Sequence, residues 1–118
     1  MRFGESIWYC TQLAEPNGLQ EFNEPVEIVL RPHHCSVQPT SGYSAVQTYG
    51  KNIINYQTVI LQPYMTWKDV FKEGDLFYID GATPQNSEEE FFGDYANFIV
   101  DKVFKQNEAI RIVLKRRN

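Results

Sequence analysis

Ala96-Asn97-Phe98-Ile99-Val100-Asp101-Lys102-Val103-Phe104-Lys105-Gln106-Asn107-Glu108-Ala109-Ile110-Arg111-Ile112-Val113-Leu114-Lys115 decides the fold class. In its second half Ile110, Ile112 and Leu114 alternate with Arg111, Val113 and Lys115. A period of two puts each set on one face of an extended strand. Its first half, Ala96 to Phe104, is rich in the β-branched and aromatic residues that suit a pleated surface. The polar connection Lys105-Gln106-Asn107-Glu108 joins the two, and the whole predicts an antiparallel hairpin over 96–115.

Strand signals continue upstream. Leu76-Phe77-Tyr78-Ile79 lies between Gly74-Asp75 and Asp80-Gly81, two turn-forming dipeptides. From Asn52 to Gln62, Ile54, Tyr56, Thr58 and Ile60 share one face while Val59 and Leu61 weight the other, which predicts a strand covered on both sides near its end. Pro25 opens a further strand reaching Arg31, with Val26, Ile28 and Leu30 on one face. Glu5 to Gln12 reads as a strand or loop edge with Ile7, Tyr9 and Thr11 together. Helix is scarce. Thr66 is a candidate N-cap for Thr66 to Lys72, where Trp67, Val70 and Phe71 have helical spacing and Gly74 stops the run after one or two turns. The alternative is a turn whose Phe71 plugs the core. The expected fold is all-β: one domain over 1–118, a small β-barrel or β-sandwich with long loops and at most one short helix.

Composition bounds the function. The 118 residues are 42% hydrophobic and 22% charged, a globular balance. No run approaches the ~18 apolar residues of a membrane helix, and no apolar h-region follows Met1-Arg2-Phe3-Gly4-Glu5. The expectation is a soluble, mildly acidic domain made in the cytoplasm, with no membrane partner. A net charge of −4 disfavours nucleic-acid recognition, which needs a basic face. The basic cluster Lys115-Arg116-Arg117 reads as a solubilising tail. Eight Phe, seven Tyr and two Trp are many for so small a core, so some of Trp8, Tyr43, Tyr49, Tyr64 and Tyr95 are candidates for contact with another chain.

No catalytic set emerges. The chain has no phosphate-cradling glycine loop, G-x-S-x-G turn or H-E-x-x-H helix. Asp75 and Asp80 read as turn formers that bond to backbone, not as an acid–base pair. His33, His34, Cys35 and Cys10 have zinc-ligand chemistry but not zinc-ligand spacing, since adjacent strand residues point to opposite faces. No metal, cofactor or enzyme activity is expected.

Two long loops stand out. The segment 32–50 is a long loop or hairpin with no Asp, Glu, Lys or Arg. Its His33, His34, Ser41, Gly42, Tyr43 and Tyr49 are the candidate channel- or neighbour-facing residues: Ser41 and Gly42 supply hinge freedom, the tyrosines anchors that gain when buried. The acidic loop 82–95 carries Glu88, Glu89 and Glu90 as a secondary candidate, weaker because desolvating carboxylates costs several kcal/mol apiece without basic partners.

Residues 50 to 118 carry a resemblance. The aromatic-rich approach Trp67 to Phe71 leads to Lys72-Glu73-Gly74-Asp75-Leu76-Phe77-Tyr78-Ile79-Asp80-Gly81, then an acidic loop, then Ala96 to Val103 and Asn107 to Ile112. This resembles the head–tail connector, head-completion or stopper-type neck proteins of tailed, siphovirus-like phages of Gram-positive hosts. The resemblance implies a virion protein of the neck, assembled in the host cytoplasm. It would form a homo-oligomeric ring between a portal-side adaptor protein and a tail-side protein, close the portal channel, and meet DNA only as non-specific channel content. Two other classes stay open. A tail-terminator or tail-completion protein uses a mixed α/β fold in many phages, against which the scarcity of helix argues. The other is a small-ligand-binding β-barrel with aromatics lining a pocket.

Overall fold

A computed structural model describes residues 2–39, 55–84 and 91–117. Among them run strands β1 (Ser6–Cys10), β2 (Gln12–Asn17), β3 (Gln20–Phe22), β4 (Val26–Val29), β5 (Cys35–Pro39) and β6 (Tyr56–Leu61). The helical turn α1 (Tyr64–Trp67) follows, then β7 (Leu76–Tyr78), β8 (Phe98–Gln106) and β9 (Ala109–Arg116). Among the described residues the fold is all-β with one short helix, as the alternation predicts.

Seven strands form one antiparallel sheet in the order β4-β1-β7-β8-β9-β6-β5, and β2 and β3 form a separate hairpin. The β8–β9 pair is the expected C-terminal hairpin. Gln106 pairs with Ala109, so the connection is the two-residue turn Asn107-Glu108, tighter than the four-residue link read from sequence. Asn107 has φ +55°, a backbone state that Asn tolerates and primed hairpin turns require. The register shifts between Val100 and Lys102, leaving Asp101 as an extra residue. That bulge changes the strand's parity: Phe98 and Val100 face the core before it, and Val103 faces the core after it.

A flat sheet of seven strands would hold its edge strands roughly 29 Å apart at ~4.8 Å per strand. Only Leu30 to His34 separate β4 from β5, and Arg31 pairs directly with Cys35. The sheet therefore curls until its edges approach, as an open barrel. Its interior is one core containing Ile7, Leu30, Cys35, Val59, Leu61, Phe77, Phe98, Ile110, Ile112 and Leu114, drawn from both ends of the strand order. A second, smaller cluster on the outer face joins Cys10, Leu76, Tyr78 and Ala96, with Trp8 and Phe22 packed against it. The β2–β3 hairpin thus supplies an outer cover through Phe22, and β7 is buried on both faces. The covering of both faces expected for β6 also holds, with Tyr56, Thr58, Val59 and Leu61 all buried.

Three local expectations need correction. Thr66 is no N-cap, because α1 begins two residues earlier at Tyr64, after Pro63, and has no side-chain cap. Phe71 lies beyond the helix and plugs the core, packed on Tyr9 at 4.8 Å and Phe77 at 5.3 Å between ring centroids. Residues Cys35–Pro39, read as part of the loop 32–50, form strand β5 against β6. The basic end is no mere tail: the Arg117 guanidinium donates to the carbonyls of Gly93 at 2.8 Å and Ala96 at 2.9 Å. Asp75 does have the structural role expected of it, buried and bonded to backbone.

Candidate binding groove at the sheet seam

The place where the curled sheet fails to close is set by backbone direction. The Arg31 N–H donates to the Cys35 carbonyl at 3.1 Å, and the Cys35 N–H returns to the Arg31 carbonyl at 3.1 Å. Leu30 faces the other way, donating to the Glu5 carbonyl at 2.8 Å and accepting from the Gly4 N–H at 2.8 Å. Successive strand residues alternate in this direction. Val26 and Ile28 therefore bond toward β1, while Glu27 and Val29 aim their N–H and C=O groups at the seam. On the facing side Val37 shares the direction of Cys35. Beyond the single Arg31–Cys35 bridge the two edges do not pair. Glu27 and Val29 have no backbone partner at the seam among the described residues.

Between β4, the Arg31–Cys35 bridge and the start of α1 lies a groove of about 610 Å³, within the range of ligand sites. Ile28 and Cys35 line it from the strands, Pro63 and Trp67 from the α1 side, and Arg31 and His34 from its zipped end. Trp67 is pinned there. Its indole N–H donates to the Gln62 carbonyl at 3.3 Å, and its ring stacks on Phe71 at 5.9 Å and meets Tyr9 edge-on at 6.4 Å. Val26 and Val29 beside the seam are 47% and 41% exposed.

Of the residues singled out from sequence, His33 and His34 occupy the tight turn between Arg31 and Cys35, both exposed, His33 with φ +62°. His34 lines the groove. Ser41, Gly42, Tyr43 and Tyr49, and also Glu88, Glu89 and Glu90, lie outside the described residues. Cys10 and Cys35 are far apart in role: Cys10 sits in the outer cluster and Cys35 in the main core. Among the described residues no three His, Cys, Asp or Glu side chains gather closely enough to hold a metal ion. Sequence reasoning missed Ile28, Arg31, Pro63 and Trp67 as groove residues. They come together only through the curl of the sheet, which no local pattern encodes. One signal was available: Arg31 is the fixed charge that borders the uncharged stretch beginning at Pro32.

Burial pushes the Cys35 thiol up to about 12 from an ordinary 9.0, so it is a neutral thiol at physiological pH and a poor nucleophile or metal ligand. The sign of the stability effect follows. Between about pH 9 and 12 the unfolded chain ionises this thiol and the folded chain does not, so folding stability is full below pH 9 and falls as pH rises. The expected loss approaches about 1.4 kcal/mol per pH unit in that window. Denaturant unfolding at pH 8 and pH 10 should show it in the wild type, and Cys35→Ala should remove that part of the slope.

No protein-family model matches this sequence, and no curated protein or solved structure is significantly similar to it. The functional reading therefore rests on the chain itself.

Proposed function

We propose that the protein is a structural subunit of a tailed-phage neck, forming a ring that joins the DNA-filled head to the tail and closes the portal channel. The observation that carries this reading is the placement of the segments on which the resemblance rests. Leu76 to Ile79, Ala96 to Val103 and Asn107 to Ile112 contain β7 and the first parts of β8 and β9, three neighbours at the centre of the sheet. The segments that carry the resemblance are therefore adjacent in the sheet of this chain, which supports the reading.

Surface chemistry supports an assembling role. Leu19 is 75% exposed at the tip of the β2–β3 hairpin, with Phe92 at 42% and Tyr95 at 45% in the turn leading to β8. The Phe92 N–H donates to the Gln20 side-chain carbonyl at 3.3 Å, tying that turn to the hairpin. That bond holds the backbone that presents Phe92, so less backbone freedom is lost when the exposed ring docks as an interface anchor.

Removing the gene from the phage that encodes this chain tests the reading. Particles made without it should have filled heads that leak DNA or fail to join tails, and supplying the protein in trans should restore joining. Normal particles in its absence would refute the assignment.

A further inference from the structure

We propose that the seam between β4 and β5 is a strand-acceptor site for the free C-terminal end of a partner protein, which enters parallel to β4 with its carboxylate at Arg31 and His34. The inference stands on the seam alone and does not depend on the neck assignment.

Four observations select this occupant. First, Glu27 and Val29 present backbone N–H and C=O groups to the seam, with no pairing there among the described residues. A row of such groups is a template for an extended chain, not for a helix or a compact small molecule. Second, the edges are joined at Arg31–Cys35 and are unpaired beyond it among the described residues, so the seam is closed at one end. A chain lying in it must stop at the zipped end, which favours a terminus over the middle of a loop. Third, the charge is polarised. Arg31 and His34 line the closed end, and the Arg31 guanidinium has no hydrogen-bond or ion-pair partner among the described residues. Glu27 lines the groove four residues away, about 13 Å along an extended strand. A cationic closed end and an anionic open end fix the polarity: carboxylate at Arg31, and a basic side chain about four residues earlier beside Glu27. Fourth, the groove is apolar between these ends, with Ile28, Pro63 and Trp67 available to branched side chains.

The incoming strand runs parallel to β4 and antiparallel to β5, along a seam that the described residues leave unpaired. Its backbone bonds provide affinity, and the carboxylate and the basic residue provide direction and register.

The probe is the peptide acetyl-Lys-Val-Thr-Val-Val with a free C-terminal carboxylate, compared with the same peptide ending in an amide. Purified full-length protein is titrated with each while Trp emission and amide hydrogen exchange are followed. Saturable binding of the acid, slower exchange at the Glu27 and Val29 amides, and at least tenfold weaker binding of the amide support the proposal. Arg31→Ala should weaken the acid at least tenfold and leave the amide unchanged. The Arg31 side chain is exposed and its bridge to Cys35 is made by backbone, so this variant keeps the fold. If it does not, the acid-to-amide ratio on the wild type decides. Equal affinity for acid and amide, or unaltered exchange at Glu27 and Val29 at millimolar peptide, overturns the proposal. So does protection of the same amides that rises with protein concentration alone, because a second copy would then be the occupant.

Discussion

Asp75→Ala should destabilise the fold by about 4 kcal/mol, read as a shift of the urea midpoint at unchanged slope. Asp75 is wholly buried. One carboxyl oxygen accepts from the Gln12 backbone N–H at 3.1 Å and from the Gln12 side-chain amide at 3.1 Å. The other accepts from the Lys72 backbone N–H at 2.9 Å. Hydrogen bonds to such a group are worth about 1.5–3 kcal/mol each, and truncation leaves two partly buried backbone donors without an acceptor. The loss spreads beyond the turn, because Gln12 begins β2 and Lys72 ends the segment carrying Phe71 into the core. Asp75→Asn should cost less, about 2 kcal/mol. Its amide keeps one acceptor oxygen but sets a second donor against one of the two groups. If the alanine variant loses under 1 kcal/mol, these bonds do not hold the β2 entry to the core.

How far the architecture could be read from residues depended on whether one strand face is buried. Ile110, Ile112 and Leu114 line the core, so their alternation was legible and placed the hairpin within two residues of its observed ends. The β2–β3 hairpin was missed. Its strands are half-exposed, Pro16 interrupts the pattern, and the one available signal was the dipeptide Asn17-Gly18 next to the turn. Strand β5 was absorbed into a loop because Cys35-Ser36-Val37-Gln38-Pro39 has only one β-branched residue and ends in Pro. Its alternation of Cys35 and Val37 inward becomes meaningful only once β6 lies beside it.

The candidate site was legible in part for the same reason. His33 and His34 stand in a polar turn that composition marks, but Arg31, Ile28 and Trp67 meet across the seam from separate parts of the chain. A groove made by two sheet edges is a property of curvature. Curvature here is set by the Asp101 bulge and by the short link from β4 to β5, and neither has a sequence signature strong enough to stand alone.

Gly93→Ala should be nearly as damaging as the loss of Asp75, at about 3–5 kcal/mol, from backbone strain and overpacking together. Gly93 has φ +91°, a region that L side chains rarely enter. A Cβ built there lies 2.7 Å from Leu76 Cδ1 and 3.6 Å from a Phe22 ring carbon. Leu76 cannot give way easily, because it is only 2% exposed and sits in the outer cluster with Tyr78 and Cys10. Gly93 is also a junction. Its N–H donates to the buried Tyr78 hydroxyl at 3.0 Å, and its carbonyl accepts from Arg117 at 2.8 Å and from the Ala96 N–H at 3.1 Å. Shifting this backbone to relieve the methyl group would therefore loosen the entry to β8 and the end of β9 together. A thermal melt reads the outcome, with a fall of well over 10 °C expected at this size. Pairing the change with Leu76→Ala separates the two causes. If steric overlap dominates, the double variant should be less unstable than the sum of the single ones. Simple additivity would assign the cost to the backbone conformation, and a wild-type melting point for Gly93→Ala would contradict both.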